Sequence, residues 1–322
     1  MTSEIEDDEG KPIKEGTLLQ SVKAKYLVVT LLGAGGFANE TILGAVFKVR
    51  DTQTGEEYAM KVEKKLEKRK HSKLKMEIAI LKMLMNEREN SHFTQIVDRA
   101  KKEKYFFLVM TLVGKSLEDL KREQPEKVFT MGTGIASAVQ CLEAVEDLHK
   151  YGFIHRDLKP ANYACGLADK IRTVYILDFG IARKFAKNEQ RVKAPRLQVG
   201  FKGTIRFASL ACHSNKELGP KDDVESWVYL LLDLVQMQGL PWRRLTDRNE
   251  VKKVKEDCRT NRRSELFVDL ECRVEFSSVL EYIDSLSYAD KIDYAYVYDT
   301  MKLAASVCKV NLDDPYDWEP KK

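Results

Sequence analysis

Two short stretches of the sequence contain most of the residues that could do chemistry. The stretch HRDLKPANYAC begins at His155 and supplies Asp157, Lys159 and Asn162, and the apolar run YIL leads Asp178 into a Phe-Gly turn. A positioned carboxylate can accept a proton, and carboxylate and amide oxygens are ligands for Mg²⁺. A lysine can neutralise the charge of a phosphoryl group. These residue types therefore suit phosphoryl transfer, in which the protein mainly positions and neutralises its substrates.

Two further residues upstream complete this set. Lys61 lies in the strand-like stretch YAMKVE, and Glu77 lies in the helical stretch LKMEIAI. Lys61 can hold the α- and β-phosphates of a nucleotide, and Glu77 can hold Lys61. Each motif alone would usually be a chance occurrence on the protein surface. Lys61 alone could be one more solvated lysine in a basic run. Their common order along the chain makes coincidence the weaker interpretation.

The surrounding pattern predicts a small β-rich lobe followed by a larger helical one. Short runs rich in Val, Phe and Tyr predict five antiparallel strands within residues 26–33, 45–51, 56–63, 95–102 and 104–112. One helix interrupts them, with a predicted apolar face made of Leu74, Ile78, Leu81 and Met85. The pattern predicts a second helix that ends at Gly152. Its apolar face is made of Ile135, Val139, Leu142, Val145 and Leu148. We predict an α+β fold with an acidic, disordered tail over 1–24, lobes over 25–111 and 112–303, and a short tail over 304–322.

Composition excludes several classes of protein. The 322 residues are 43% hydrophobic and 32% charged, as in ordinary globular proteins, and the net charge of +4 is too small to favour nucleic acid. No apolar run approaches the roughly 20 residues that a membrane helix needs. The six cysteines form no C-x-x-C pair, so we expect reduced core thiols, including Cys165 near HRD. We expect a cytoplasmic monomer, with the nucleus left open.

The ordered motifs resemble those of protein kinases. From about residue 25 to 303 the chain resembles eukaryotic protein kinases of the casein kinase 1 group. The stretch VMTLVGKSLEDL resembles that group's hinge, and GFKGTIRFASLACHSNKELGPKDDVESW replaces the usual Ala-Pro-Glu segment. The stretches VGFKGTIRFAS and LKMEIAILK most resemble the tau-tubulin kinase branch, as in its divergent nematode members. The resemblance implies the bilobal kinase fold, ATP and Mg²⁺ as cofactors, protein substrates, and Ser/Thr as acceptors because of Lys159.

The resemblance also assigns residues to sites. As catalytic residues it implies Asp157, Lys159, Asn162, Lys61, Glu77 and Thr204. For ATP it implies Gly33, Gly35, Gly36, Gly44, Val46, Ala59, Lys61, Met110, Thr111 and Val113. Asn162 and Asp178 would hold the metal, Asp223 would support the HRD backbone, and Lys202 and Arg206 would bind an anionic group of the substrate.

The glycine-rich loop departs from its usual pattern. In G-x-G-x-x-G-x-V the third glycine should stand at 38, where the sequence has Ala38, and the valine position falls on Glu40. If Ala38–Leu43 are six extra residues, Gly44 and Val46 restore both the pattern and the following strand. We prefer this insertion, which costs little in loop-closure entropy but can weaken ATP binding or slow loop closure.

Substrate choice and regulation leave alternatives open. Five basic residues and no acidic ones lie between residues 191 and 206, and PWRRLTDRNEVKKVKED adds a second basic cluster. Either set binds acidic or phosphorylated substrates or is simply solvated; for Arg206 we favour the anion site. We expect no requirement for activating phosphorylation. We predict an active Ser/Thr kinase, and the alternative is an ATP-binding pseudokinase scaffold impaired by its expanded loop.

Overall fold

The computed structural model describes residues 5–38, 41–66, 72–89, 91–186 and 192–320, without the side chains of 35–38 and 41–43. The chain forms two compact units. The first runs to Gly114 and includes Asp178–Gly180; the second comprises Lys115–Leu177 and the chain from Ile181 onward.

The first unit is built on one antiparallel sheet of six strands. In spatial order β1-β2-β3-β4-β6-β5, the strands are β1 Leu18–Gln20, β2 Lys25–Ala38, β3 Thr41–Asp51, β4 Glu57–Lys64, β6 Tyr105–Thr111 and β5 Ile96–Lys101. The five predicted strands are confirmed, and β1 is an addition that the sequence pattern did not indicate.

The N-terminal segment covers one face of this sheet. Ile5, Ile13 and Leu19 are buried in a core with residues of β2, β3, β4 and β6, among them Phe47 and Val109. The prediction of a disordered tail over residues 1–24 is therefore wrong for 5–24. A sheet with a continuous apolar face needs a cover, and three apolar side chains in a polar segment suffice to provide one here.

Helix α1 of the first unit turns a charged residue inward. It spans Lys73–Leu84 and begins at the N-cap Ser72, whose hydroxyl accepts a hydrogen bond from Lys75 N. The predicted apolar face was partly wrong, because Ile78 and Met85 are only half-buried. The buried positions are Leu74, Glu77, Ile80, Leu81 and Leu84.

The second unit is mainly helical. Its helices are α2 Leu117–Glu123, α3 Met131–Lys150, α4 Leu210–His213, α5 Pro220–Val235, α6 Arg248–Asp257, α7 Arg263–Leu266, α8 Arg273–Ser285 and α9 Tyr294–Val307. Two short ribbons accompany them, β7 Phe153–Ile154 with β10 Arg183–Lys184, and β8 Tyr163–Cys165 with β9 Val174–Ile176. Helix α5 is buried along nearly its whole length, and α3 packs beside it. As predicted, α3 ends before Gly152, whose φ of +76° suits glycine.

The end of the chain also packs. Helix α9 continues beyond residue 303, and the Trp318 ring lies 5.2 Å from that of Phe129, centroid to centroid. Asp317 accepts hydrogen bonds from the backbone and hydroxyl of Thr130. Residues 304–320 are therefore part of the second unit. Within the described ranges, no helix has the length and apolar character to cross a membrane.

Candidate active site

One face of the first unit's sheet gathers several of the predicted nucleotide-binding residues. Val46 on β3 stands opposite Lys61 on β4, and Ala59 on β4 stands opposite Met110 on β6. Directly opposed residues of antiparallel strands point to the same face, as do residues two apart. The N-terminal segment covers one face of the sheet. The opposite face therefore carries Val46, Ala59, Lys61 and Met110. The predicted hinge residue Thr111 ends β6 and, like Val113, is half-buried.

Lys61 is held between two carboxylates. Its Nζ lies 2.6 Å from Glu77 Oε2 and 2.9 Å from Asp178 Oδ1. The Glu77 side chain is 4% exposed and that of Asp178 is 52% exposed. Burial lowers the pKa of Lys61, but the charges of Glu77 and Asp178 outweigh it, so the pKa is raised overall and the ammonium stays charged. Burial raises the pKa of Glu77, opposed mainly by Lys61.

The Asp178–Gly180 turn has a conformation that its neighbours stabilise. Asp178 has a φ of +63°, which is uncommon for a residue with a side chain, and its Oδ1 accepts a hydrogen bond from Gly180 N at 3.2 Å. The next side chain, Phe179, is buried and stacks on Phe93 with ring centroids 5.9 Å apart. The turn thus directs Asp178 toward Lys61 while Phe179 anchors it in the core.

The HRD backbone of the second unit is held by Asp223, as the resemblance implied. Asp223, buried on α5, accepts hydrogen bonds from His155 N at 2.6 Å, Arg156 N at 2.9 Å and His149 Nε2 at 3.0 Å. Arg156 has a φ of +71°, a strained conformation that these bonds help to maintain. Asp157 N donates to His155 Nδ1, so the other ring nitrogen carries the proton and donates to Leu177 O at 3.1 Å.

Four predicted catalytic residues meet in the second unit. Thr204 donates to Asp157 Oδ1 at 2.7 Å, and Lys159 Nζ lies 3.2 Å from Asp157 Oδ2 and donates to the Thr204 hydroxyl at 2.9 Å. Asn162 Nδ2 donates to the Asp157 carbonyl at 2.8 Å. This use of the Asn162 nitrogen leaves its oxygen as the atom that can face a cation. Asp157 is thereby fixed in orientation by three neighbours.

A glycine allows the Thr204 segment to approach HRD. Gly203 has a φ of +106°, and a Cβ at this position would collide with the carbonyl oxygen of Arg156. Only glycine combines that φ with that contact.

Two residues that sequence reasoning missed hold the turn after Thr204. Lys255 on α6 donates from Nζ to Ile205 O at 3.2 Å and to Ala208 O at 2.6 Å. Trp242 Nε1 donates to Arg206 O at 2.8 Å. Lys255 lies in the second basic cluster, for which the sequence left two interpretations, an anion-binding site or a solvated surface. Both interpretations are wrong for Lys255, because the residue is 0% exposed. Its spacing from the apolar residues Val251 and Cys258 could have indicated a buried position.

The predicted anion-site residues are placed differently from one another. Lys202 is exposed, whereas Arg206 is half-buried and donates from Nη2 to Arg243 O at 3.2 Å. Among the described residues, neither forms an ion pair. Arg196, from the same basic stretch, is instead paired with Glu217, and Arg191 lies outside the described residues.

The backbone of the glycine-rich hairpin has the register that the insertion requires. Gly33 pairs with Val46 and Gly35 with Gly44, and the pairing continues to Ala38 and Thr41. In the usual pattern two residues separate the second and third glycines, so opposed glycines with eight residues between them fit a tip lengthened by six. Residues 39 and 40 of the predicted insertion lie outside the described residues.

Comparisons with known proteins agree with these observations. The family model for the protein kinase domain matches residues 26–293. The chain belongs to the protein kinase domain family. The kinase is 33% identical over 98% of its length to the serine/threonine-protein kinase spe-6 of Caenorhabditis elegans, covering 82% of that protein. It is 31% identical over 92% of its length to a putative casein kinase I of the same organism, covering 83% of it.

A third relative is much longer than this chain. A probable serine/threonine-protein kinase of Dictyostelium discoideum is 31% identical over 92% of the chain, which spans only 57% of that relative. The family and these relatives show that the chain is a serine/threonine protein kinase with the bilobal kinase fold. The kinase domain implies protein substrates, ATP and a divalent metal ion. The Asp178 carboxylate and the Asn162 amide oxygen are donors of the type that such a cation prefers.

Proposed function

We propose that this kinase transfers the γ-phosphate of Mg-ATP to Ser or Thr hydroxyls with Asp157 orienting the acceptor hydroxyl and taking its proton. The observation that carries this proposal is the arrangement around Asp157, whose carboxylate is oriented by Thr204 and Lys159. In this role Lys159 also neutralises charge on the transferred group. Asp178 and Asn162 would hold Mg²⁺, which would supply positive charge to neutralise the phosphates.

The nucleotide is held by the first unit. Lys61, kept in place by Glu77, contacts the α- and β-phosphates, and Val46, Ala59 and Met110 pack against the base. The glycines of the β2–β3 hairpin bring backbone amides to the phosphates, and Thr111 and Val113 provide hinge backbone groups. The shared sheet face and the ion pair support these assignments.

The experiment that tests this function compares Asp157→Asn with the wild type. Asn keeps the size of the side chain but cannot take a proton, so phosphate transfer to casein should fall by about 10²- to 10⁴-fold while ATP binding is retained. Asp299→Asn is the matched control, because that carboxylate is 72% exposed on α9. Full activity of Asp157→Asn would disprove the assignment.

The same assay separates the kinase from the pseudokinase scaffold. The intact set of charged ligands supports an active enzyme, and the hairpin register supports a working glycine loop behind the longer tip. Nucleotide binding without any transfer by the wild type would favour the scaffold. It would also identify the inserted tip as the cause if its removal restored transfer.

We further infer a preference for acidic or phospho-primed substrates, with Lys202 and Arg206 holding the anion. An arginine presents a planar fork that suits phosphate or carboxylate, and neither residue is engaged by a carboxylate within the described ranges. Arg206→Ala should raise KM for a phospho-primed peptide with little effect on an unprimed one. Lys302→Ala, a change at an exposed residue of α9, is the control. Equal effects of Arg206→Ala on both peptides would exclude the anion site.

Finer placement rests on the same stretches of sequence. The motifs VGFKGTIRFAS and LKMEIAILK favour the tau-tubulin kinase branch of the casein kinase 1 group. We also propose a cytoplasmic monomer. Sedimentation equilibrium should then return a mass near the 37.0 kDa of one chain.

A further inference from the structure

A single buried carboxylate joins two distant arginines of the second unit. Glu217 lies between α4 and α5 with its side chain only 3% exposed. Its Oε1 is 3.0 Å from Arg183 Nε and 3.1 Å from Arg196 Nη2, and its Oε2 accepts from Arg196 Nε. Both carboxylate oxygens are therefore engaged in charge-assisted hydrogen bonds, which are among the strongest in proteins.

Both arginines lie in the part of the sequence between Asp178 and Thr204. Arg183 belongs to β10, which pairs with Ile154 just before the HRD motif, and Arg196 precedes Thr204 by eight residues. Glu217 thus ties the start of the segment that follows Asp178 to the part that leads into Thr204. If Arg196 moves, the backbone that leads to Thr204 moves with it. The Thr204 hydroxyl, which orients Asp157, would then be displaced.

A third guanidinium adds to the positive charge at this place. Arg156 of the HRD motif donates from Nε to Ile181 O, and burial followed by the charge of Arg183 lowers its pKa. Arg196 also lowers the pKa of Arg156, whereas Glu217 raises it. Three like charges therefore converge, and Glu217 is the carboxylate that two of them contact directly.

We propose that Glu217 is a positioning residue that holds Arg183 and Arg196 in place with a built-in carboxylate, where an added phosphate would otherwise be needed. Phosphorylation orders such segments by placing an anion among arginines. Here the anion belongs to the chain itself, so the two arginines are held in place without any modification. The inference rests on the proposed role of Asp157.

Chemical rescue tests this role. Glu217→Ala should lower kcat/KM for casein by about 10- to 100-fold, the scale of a displaced catalytic group. Because the Arg183 and Arg196 side chains are 32% and 46% exposed, a small anion can reach them once the carboxylate is gone. Millimolar sulfate or inorganic phosphate should then raise the activity of the variant relative to that of the wild type measured at the same anion concentration. Chloride at equal ionic strength should restore none.

The matched control is another buried ion pair of the same unit. Asp233, 8% exposed, pairs with Lys121, and Asp233→Ala should lower stability without any activity that sulfate restores. If Glu217→Ala does not fold, Glu217→Ser, which also leaves room for an anion, replaces it in the rescue test. Wild-type activity should also survive treatment with a broad-specificity phosphatase. Unchanged activity of the Glu217 variants, a loss that no anion restores, or a wild type inactivated by phosphatase would each overturn the proposal.

A binding measurement separates this inference from the kinase mechanism. Sulfate should raise the melting temperature of Glu217→Ala by several degrees more than that of the wild type, because only the variant has a site between Arg183 and Arg196 that the carboxylate has left open. This readout needs no catalysis. A sulfate-dependent shift in a protein whose wild type transfers no phosphate would refute the proposed function and keep Glu217 as the internal anion. An active wild type without that shift in the variant would refute the role of Glu217.

Discussion

Replacement of Lys255 by methionine should change how stability depends on pH. Lys255 is fully buried, and its ammonium contacts two backbone carbonyls and the rings of Tyr229 and Trp242, at 4.6 and 5.0 Å from their centroids. Among the described residues it forms no ion pair. Burial lowers the pKa of Lys255 from 10.5 to about 7, with Arg259 lowering it further and Glu225 and Cys212 acting in the opposite direction. The imidazole of His213 also faces the ammonium, at 3.3 Å.

The sign of the pH effect follows from the lowered pKa. Between about pH 7 and 10.5 the unfolded chain keeps a proton on Lys255 that the folded protein has released. Stability therefore rises with pH across that window, since the unfolded state binds more protons. Integration of this proton difference from about pH 6 to about pH 9 gives a gain of about 3 kcal/mol in the free energy of unfolding. Lys255→Met lacks the titrating group and should lack this gain.

Equilibrium urea unfolding of both proteins at the two pH values measures the effect. At the higher pH the variant should be the less stable, because Ile205 and Ala208 lose the donor to their buried carbonyls, at about 1–3 kcal/mol. Toward the lower pH the difference in free energy of unfolding should shift in favour of the variant by about 3 kcal/mol. Lys302→Met, a change at a side chain that is 72% exposed, should differ from the wild type equally at both values. A wild-type-to-Lys255→Met difference that does not change with pH would refute the reasoning.

Three further changes test other parts of the site. Asp178→Ala should abolish metal-dependent nucleotide binding, measured by calorimetry with and without Mg²⁺, because it removes a ligand carboxylate; unchanged binding would exclude that role. Deletion of Ala38–Leu43 should preserve folding and leave ATP affinity the same or higher, whereas a collapse of affinity would place those residues in the nucleotide site. Gly203→Ala should lower the free energy of unfolding by more than about 1 kcal/mol, since φ there is +106° and the new methyl group meets the Arg156 carbonyl; a neutral result in urea unfolding would show that the turn can move.

Local patterns predicted the strands and the motifs, because both are encoded in contiguous residues. The face of α1 shows where such patterns stop. Periodicity selected Ile78 and Met85 as core positions, whereas the structure buries Glu77 and Leu84. A hydrophobicity pattern places a glutamate outside, and the buried Glu77 is instead compensated by the ammonium of Lys61 on β4, a partner that the sequence of the helix does not reveal.

Composition failed at the N-terminus for a related reason. The segment before residue 25 is acidic and polar on average, which predicts disorder. Its contribution to the fold comes from Ile5, Ile13 and Leu19, and their value depends on an uncovered apolar sheet face that the segment's own sequence does not reveal. The average composition of the segment does not indicate that these three side chains can contact the apolar face of the sheet.

The basic stretch from 191 to 206 shows how burial and pairing divide residues that a charge count treats alike. Arg196 is neutralised by Glu217, which leaves Lys202 and Arg206 as the described members of our predicted anion site. The two groups should therefore respond differently to substitution. Loss of Arg206 should affect charged substrates selectively, whereas loss of Arg196 should lower transfer to every substrate, because it frees one end of the segment that carries Thr204. A substrate-selective effect of Arg196→Ala would mean that the arginine meets the substrate's charge as well as that of Glu217.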